Sequence, residues 1–202
     1  MRRRKNWGWA IKTSPYTAVL DACVLYPAPL RDFLLELAAG VGLYRAKWTE
    51  QIHEEWIRNV LKDRPDLDAE NIHRTRDLMN RAVPDCLVEG YEELIPSLEL
   101  PDANDRHVLA AAILSASDAI VTFNLKDFPK PVLDRYQLEL IHPDDFIFHQ
   151  FGIDDAAVLV SVQRCRERLK NPPKNANEYL DTLEKQGLPK TVGHLRAYAG
   201  VI

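Results

Sequence analysis

Two short apolar runs constrain the fold more than any other feature. Thr17-Ala18-Val19-Leu20 and Ala119-Ile120-Val121-Thr122-Phe123 are almost free of charge and rich in β-branched residues. Runs of this kind read as buried strands, and the first delivers Asp21 at its carboxyl end. Between and after them the periodicity is helical. Phe33, Leu34, Leu37 and Ala38 recur at helical spacing from Leu30 to Ala39, where Gly40 and Gly42 stop the helix. Leu43 to Lys47 reads as a second short strand. Thr49 then caps a helix running to about Lys62, with Ile52, Trp56 and Val60 inward. Asp68 to Arg81 reads as another helix, while 83 to 101 has no clear period. Asp102 to Ala116, rich in alanine, is the clearest helix. Leu138 to Ile141 reads as a strand and Pro143 to His149 as a short helix. Helix alternating with strand predicts a mainly parallel α/β sheet covered on both faces.

The texture changes beyond residue 150. Val158, Leu159, Val162, Cys165 and Leu169 line one side of an amphipathic helix from Asp154 to Lys170, which Pro172-Pro173 ends. Two shorter helices come next, around Glu178 to Lys185 and Thr191 to Tyr198. The organisation expected is a basic arm over 1–16, an α/β domain over 17–150 and a helical extension over 151–202. The chain's 202 residues suffice for one such domain with a small appendage.

Composition excludes some classes. A net charge of −4 does not advertise nucleic-acid binding, although a carboxylate-rich site can lower the total while its rim stays basic. The three cysteines, Cys23, Cys86 and Cys165, have no metal-ligand spacing and read as reduced thiols of a cytoplasmic protein. No apolar run approaches the ~18 residues of a membrane span. The start is basic, but Lys12, Ser14 and Pro15 break up the residues after it, so no secretion signal is expected.

The chemistry is carried by acids. An Asp at a strand's carboxyl end, such as Asp21, stands where open α/β sheets bind ligands, or else caps the next turn. Asp102 and Asp105 are three apart and share a helical face. One of them can be a cap, and Asp102 is the natural candidate. Two acids on one face repel unless a cation lies between them. Glu54 and Glu55 diverge by roughly 100° on a helix, so one at most is expected to face a shared site. After the strongest strand, Thr122, Asn124 and Asp127 offer further oxygen ligands. Hard oxygen donors of this kind suit Mg2+ or Mn2+. The six histidines are scattered without zinc-like spacing. There is no Gly-rich phosphate loop and no Gly-x-Ser-x-Gly elbow. Metal-assisted attack of water on a phosphate or similar ester is what remains.

In order, these motifs are strand-Asp21, a Thr49-capped helix with Glu55, Asp102-x-x-Asp105-Arg106-His107-Val108-Leu109-Ala110-Ala111-Ala112, and Val121-Thr122-x-Asn124-x-x-Asp127-Phe128. The pattern resembles the PIN-domain ribonucleases, particularly the bacterial VapC-like toxins, over about residues 17 to 148. The resemblance implies a PIN-like α/β/α sandwich, cleavage of RNA with Mg2+ or Mn2+, and an antitoxin partner. It makes Asp21 the first metal-binding acid and Glu55, not Glu54, the second. Asp105 becomes the third, with Asp102 as companion. Asp127 matches the acid that precedes the Phe, while Asn124 stands where many members carry Asp, which favours one metal ion over two. Catalytic roles then fall to Asp21, Glu55, Asp105 and Asp127. Thr122, Asn124, Lys126 and Arg106 are candidate contacts to water or phosphate, with a structural ion pair as the other reading of Arg106. Tyr26 and Trp48 are candidate stacking platforms, with core packing the favoured reading of Trp48.

Two rival readings stand beside this one. A haloacid-dehalogenase-type phosphatase needs a second acid two residues after the first, where this chain has Cys23. A non-catalytic PIN-like module binding RNA or a protein would not need all the acids. The extension over 151–202 either braces the domain or offers a surface to an antitoxin or a second copy in a homodimer.

Overall fold

The computed structural model describes residues 16–202. The basic arm read from the sequence lies outside the described residues, except for Tyr16. Strand β1 (Thr17–Leu20) leads through α1 (Ala22–Leu25) and α2 (Ala28–Leu35) into a π-helical turn at Glu36–Gly40. Then come β2 (Arg45–Lys47), α3 (Glu50–Asp63) and α4 (Ala69–Ala82). Short 3-10 turns at Glu92–Ser97 and Ala103–Asp105 precede α5 (Arg106–Leu114) and β3 (Ala119–Val121). A 3-10 turn at Leu125–Asp127, α6 (Lys130–Leu133) and β4 (Glu139–Ile141) complete the sheet region. Helices α7 (Pro143–Arg168), α8 (Ala176–Lys185) and α9 (Pro189–Leu195) come last.

The sheet has the order β2-β1-β3-β4 and every pairing is parallel. β1 and β3 lie in the middle and are buried along their whole length, as their apolar runs require. In register, Ala18 pairs with Ala46 on one side and Ala119 on the other. Ala110, Ala111 and Ala112 are fully buried in α5, which packs on both central strands. Small side chains let the helix backbone come close to the sheet. The result is the PIN-like α/β/α arrangement with a C-terminal helical extension that the motif order implied.

The capping of α3 holds as read: Thr49 Oγ1 accepts the Ile52 N–H at 3.0 Å. Ahead of it, Trp48 is fully buried and belongs to the core rather than to a stacking surface. Its Nε1 donates to Asn80 Oδ1 at 2.8 Å, and His53 Nε2 donates to the same oxygen at 2.8 Å. His53 Nδ1 in turn accepts from Trp56 Nε1 at 2.9 Å, which assigns a neutral ring protonated on Nε2. Burial lowers the pKa of His53, in keeping with that state.

Several elements differ from the sequence reading in length. The second strand is Arg45–Lys47, because the Leu43 N–H bonds back to Leu37 O at 2.9 Å and prolongs the preceding turn. The helix read from Asp102 begins at Arg106. Asp102 Oδ1 takes the Asn104 N–H at 2.8 Å and tightens the first turn into a 3-10 form. The two helices read on either side of residue 150 run together as α7, which leaves helical geometry at Asp154. There Asp154 Oδ1 accepts the Ala157 N–H at 2.9 Å and caps the second half. The boundary placed at residue 150 therefore falls inside α7. No helix of the described residues is long and apolar enough to cross a membrane.

Two buried carboxylates tie the C-terminal helices down. Glu36 is 5% exposed and accepts from Arg164 at 3.1 Å and Arg168 at 2.5 Å, joining the π turn to α7. A Cβ at Gly40 would lie 2.1 Å from Glu36 Oε1, so only glycine leaves room for that carboxylate. Asp144, also buried, accepts the backbone N–H groups of Lys190 and Thr191 at 2.8 Å each, closing α9 onto the start of α7. Asp144→Ala strands both amides. It is expected to destabilise the protein by about 2–4 kcal/mol, as hydrogen bonds to a charged group are worth roughly 1.5–3 kcal/mol each. A urea melt comparing the variant with the parent chain measures this.

Candidate active site

Asp21 follows the end of β1 and is 2% exposed. Its Oδ1 accepts the Ala22 N–H at 2.6 Å. Its Oδ2 accepts from Thr122 Oγ1 at 2.6 Å and from Cys23 Sγ at 3.2 Å. The cap reading and the site reading of Asp21 thus coexist in one carboxylate. Burial raises its pKa; the Thr122 and Cys23 hydrogen bonds oppose that shift, and the charge on Glu55 adds to it. Burial and the neighbouring Asp21 push the Cys23 thiol up to about 12, so it stays protonated and able to donate. The Cys23 sulfur also accepts the Phe123 N–H at 3.3 Å, and Thr122 Oγ1 accepts the Asn124 N–H at 2.9 Å. The ends of β1 and β3 are laced together by these bonds.

Beside Asp21 opens a cleft of about 480 Å³. Helix α3 lines it with Gln51, Glu54, Glu55 and Arg58. The turn before α5 contributes Asp102, Asn104 and Asp105, and α5 itself contributes His107. Asn124 and Asp127 close the third side. Glu55, Asp102, Asp105, Asp127 and Asn124, singled out from the sequence, therefore come together, with Asp21 buried alongside. Asp105 has the most perturbed carboxyl of the group, raised to about 7. Burial is the largest cause, followed by the charges on Asp21, Asp102, Asp127 and Glu55. The neighbouring acids thus lie close enough to hinder the ionisation of Asp105. Among the described residues no three His, Cys, Asp or Glu side chains are placed so as to hold a metal ion together.

Other candidates are placed differently. Thr122 is buried and serves Asp21 rather than the cleft wall. Lys126 is exposed on the turn Leu125–Asp127 and does not line the cleft. Arg106 does not line it either; its Nε is buried without a hydrogen-bond partner, and it forms no ion pair among the described residues. Tyr26 donates its hydroxyl to Asp63 at 2.9 Å. The expectation that only one of Glu54 and Glu55 would face the site is corrected, since both line it, Glu55 being the more buried.

Sequence reasoning missed Arg58, Gln51 and His107. The spacing 51, 54/55, 58 was the available signal, because residues three and four apart share a helix face. His107 is 3% exposed and its Nε2 lies 3.5 Å from Glu55 Oε2, a contact between α5 and α3 that no local pattern announces. The C-terminal helices also reach the site. The Phe123 ring meets His142, just ahead of α7, edge-on at 5.1 Å. A Cβ at Gly187, which has φ +83°, would lie 3.1 Å from that ring.

Comparison with known proteins bears on this arrangement. Residues 143–197 match the family model described as the VapC50 C-terminal domain. Over 97 residues the chain is 37% identical to a Mycobacterium tuberculosis protein named "Putative ribonuclease VapC50". The chain is similar to these VapC50 sequences over the matched stretches. The aligned stretch covers 48% of this chain and 57% of the relative, so the chain spans little more than half of that protein's length. No solved structure matches the chain.

The perturbed acid gives a pH test. The folded chain holds a proton on Asp105 that the unfolded chain releases near the ordinary value of 3.8. Without metal, the contribution of Asp105 to stability is fully present below about pH 4 and is lost as the pH rises through about 7. Asp105→Asn is therefore expected to melt above the parent chain at about pH 8 in EDTA, with the gap narrowing toward about pH 5. Thermal melts across that range check it; a gap that does not change with pH would contradict the assignment.

Proposed function

We propose that this chain is a metal-dependent ribonuclease that cleaves RNA phosphodiester bonds, the toxin of a VapBC-type pair. The observation that carries the reading is the convergence of Glu55, Asp102, Asp105 and Asp127 on one cleft, with the buried Asp21 near enough for its charge to help raise Asp105 to about 7. The ribonuclease name of the relative supports the same chemistry.

The donor set fits a hard divalent cation. Every candidate ligand is a carboxylate oxygen, and their repulsion is relieved by positive charge. Asp21, Glu55 and Asp105 would hold Mg2+ or Mn2+, with Asp102 and Asp127 beside them. Asn124, neutral at a corner where another acid would add charge, favours one ion over two. When bound, such an ion supplies Lewis-acid chemistry, favouring ionisation of water and offsetting charge on the phosphate. The chain's own groups do the rest. Thr122 and Cys23 fix the orientation of Asp21. Asp105 gives up its proton as a cation arrives. Gln51, Asn104 and Asn124 offer neutral hydrogen-bonding groups to sugar and phosphate oxygens.

In this reading the protein works in the cytoplasm. Its partners are RNA, a cognate antitoxin and, in a homodimer, a second copy of the chain. The α/β region up to about residue 150 is the nuclease unit, and the helices beyond it brace that unit.

Purified protein incubated with tRNA and rRNA is expected to cut in Mn2+ and to stop in EDTA. Asp21→Asn and Asp105→Asn are each expected to lower the rate by about 10²- to 10⁴-fold with the near-UV circular dichroism retained. RNA binding without metal-stimulated cleavage would point instead to the non-catalytic module. Full activity in Asp105→Asn would sink the site.

A further inference from the structure

We infer that Arg58 is a substrate-binding residue that grips a backbone phosphate of the RNA strand at the wall of the acid cleft; this deepens the ribonuclease reading and rests on it. Among the described residues that line the cleft, Arg58 is the one lysine or arginine. It is exposed, and it shares the cleft face of α3 with Glu55, three residues earlier. Glu54 stands four residues before it, the spacing and order that favour an ion pair on a helix. Yet Arg58 forms no ion pair among the described residues, although other arginines of the chain do, including Arg64 with Asp66 and Arg76 with Asp77. Its guanidinium is thus unengaged where a polyanion would enter.

The charge balance gives that position a purpose. An RNA strand approaching this wall meets Glu54, Glu55, Asp102, Asp105 and Asp127. The chain's net charge of −4 adds no overall attraction for a polyanion. A cation is needed beside the acids but outside their cluster, so that it holds phosphate rather than neutralising a ligand. The planar fork of arginine suits bidentate contact to phosphate oxygens, whereas lysine would act as a point charge. Arg106 and Lys126, the cations that the sequence suggested for this task, do not line the cleft.

The test compares Arg58→Gln and Arg58→Lys with the parent chain. Binding of a labelled single-stranded RNA is followed by anisotropy in EDTA at several salt concentrations, and kcat and KM are measured in Mn2+. Arg58→Gln is expected to raise Kd and KM about tenfold with kcat changed less than about threefold. It should also reduce the slope of log affinity against log salt by about 0.7, the share of one phosphate contact on a single strand. Arg58→Lys is expected to keep the slope and lose part of the affinity. Lys170→Gln, an exposed cation outside the cleft, should match the parent chain. If binding in EDTA is too weak to measure, KM and its salt slope decide. Unchanged KM and slope in Arg58→Gln, with the parent chain cutting RNA, would overturn this inference alone. A loss confined to kcat would overturn it too, because Arg58 would then act on the reaction rather than on binding. A parent chain that neither binds nor cuts RNA would overturn both readings.

Discussion

A carboxylate that is 2% exposed must find donors, and the short hydrogen bond from Thr122 to Asp21 supplies one across the central strands. Much of the molecule depends on that requirement. β1 and β3 have to lie side by side and in register, with Leu20 opposite Val121, for the two residues to meet. Cys23 has to turn back within the first helical turn, and the loop after β3 has to bring the Phe123 amide onto its sulfur. The same loop then carries Asn124 and Asp127 to the cleft. The buried acid thus organises the end of the sheet, and the other acids are arranged around it.

The helices after β4 are joined to this arrangement in two places. Far from the cleft, Glu36 in its glycine-walled niche binds Arg164 and Arg168 of α7. Close to it, His142 and Gly187 pack against Phe123, the neighbour of Asn124. Asp144 links the two ends of the extension, since it lies at the start of α7 and holds the start of α9. The extension therefore contacts both the scaffold and the loop that completes the cleft.

The parallel sheet and most helices were legible in the sequence because their signals are local and repeated. Uninterrupted apolar runs mark the buried strands, and Thr49 marks the start of α3. The acids lining the cleft were named from their positions at strand ends and helix starts, and Glu55 from the resemblance. What escaped depends on distance in space. The partner of the buried Trp48 indole is Asn80, thirty-two residues away. His107 against Glu55 is a contact between two helices. The late start of α5 follows a 3-10 turn at Ala103–Asp105 whose Asn104 amide the Asp102 side chain caps, a local form that residue spacing does not reveal. Arg58 was hidden because a single arginine on a charged helix looks like any solvated one.

Counting lone pairs at Asp21 has one more implication. A carboxylate offers about four acceptor positions, two on each oxygen. Oδ2 has both filled, by the Thr122 hydroxyl and the Cys23 thiol, and Oδ1 has one filled by the Ala22 amide. A single position is left open, on Oδ1. Among the described residues, Oδ1 is therefore the oxygen with room for a further partner.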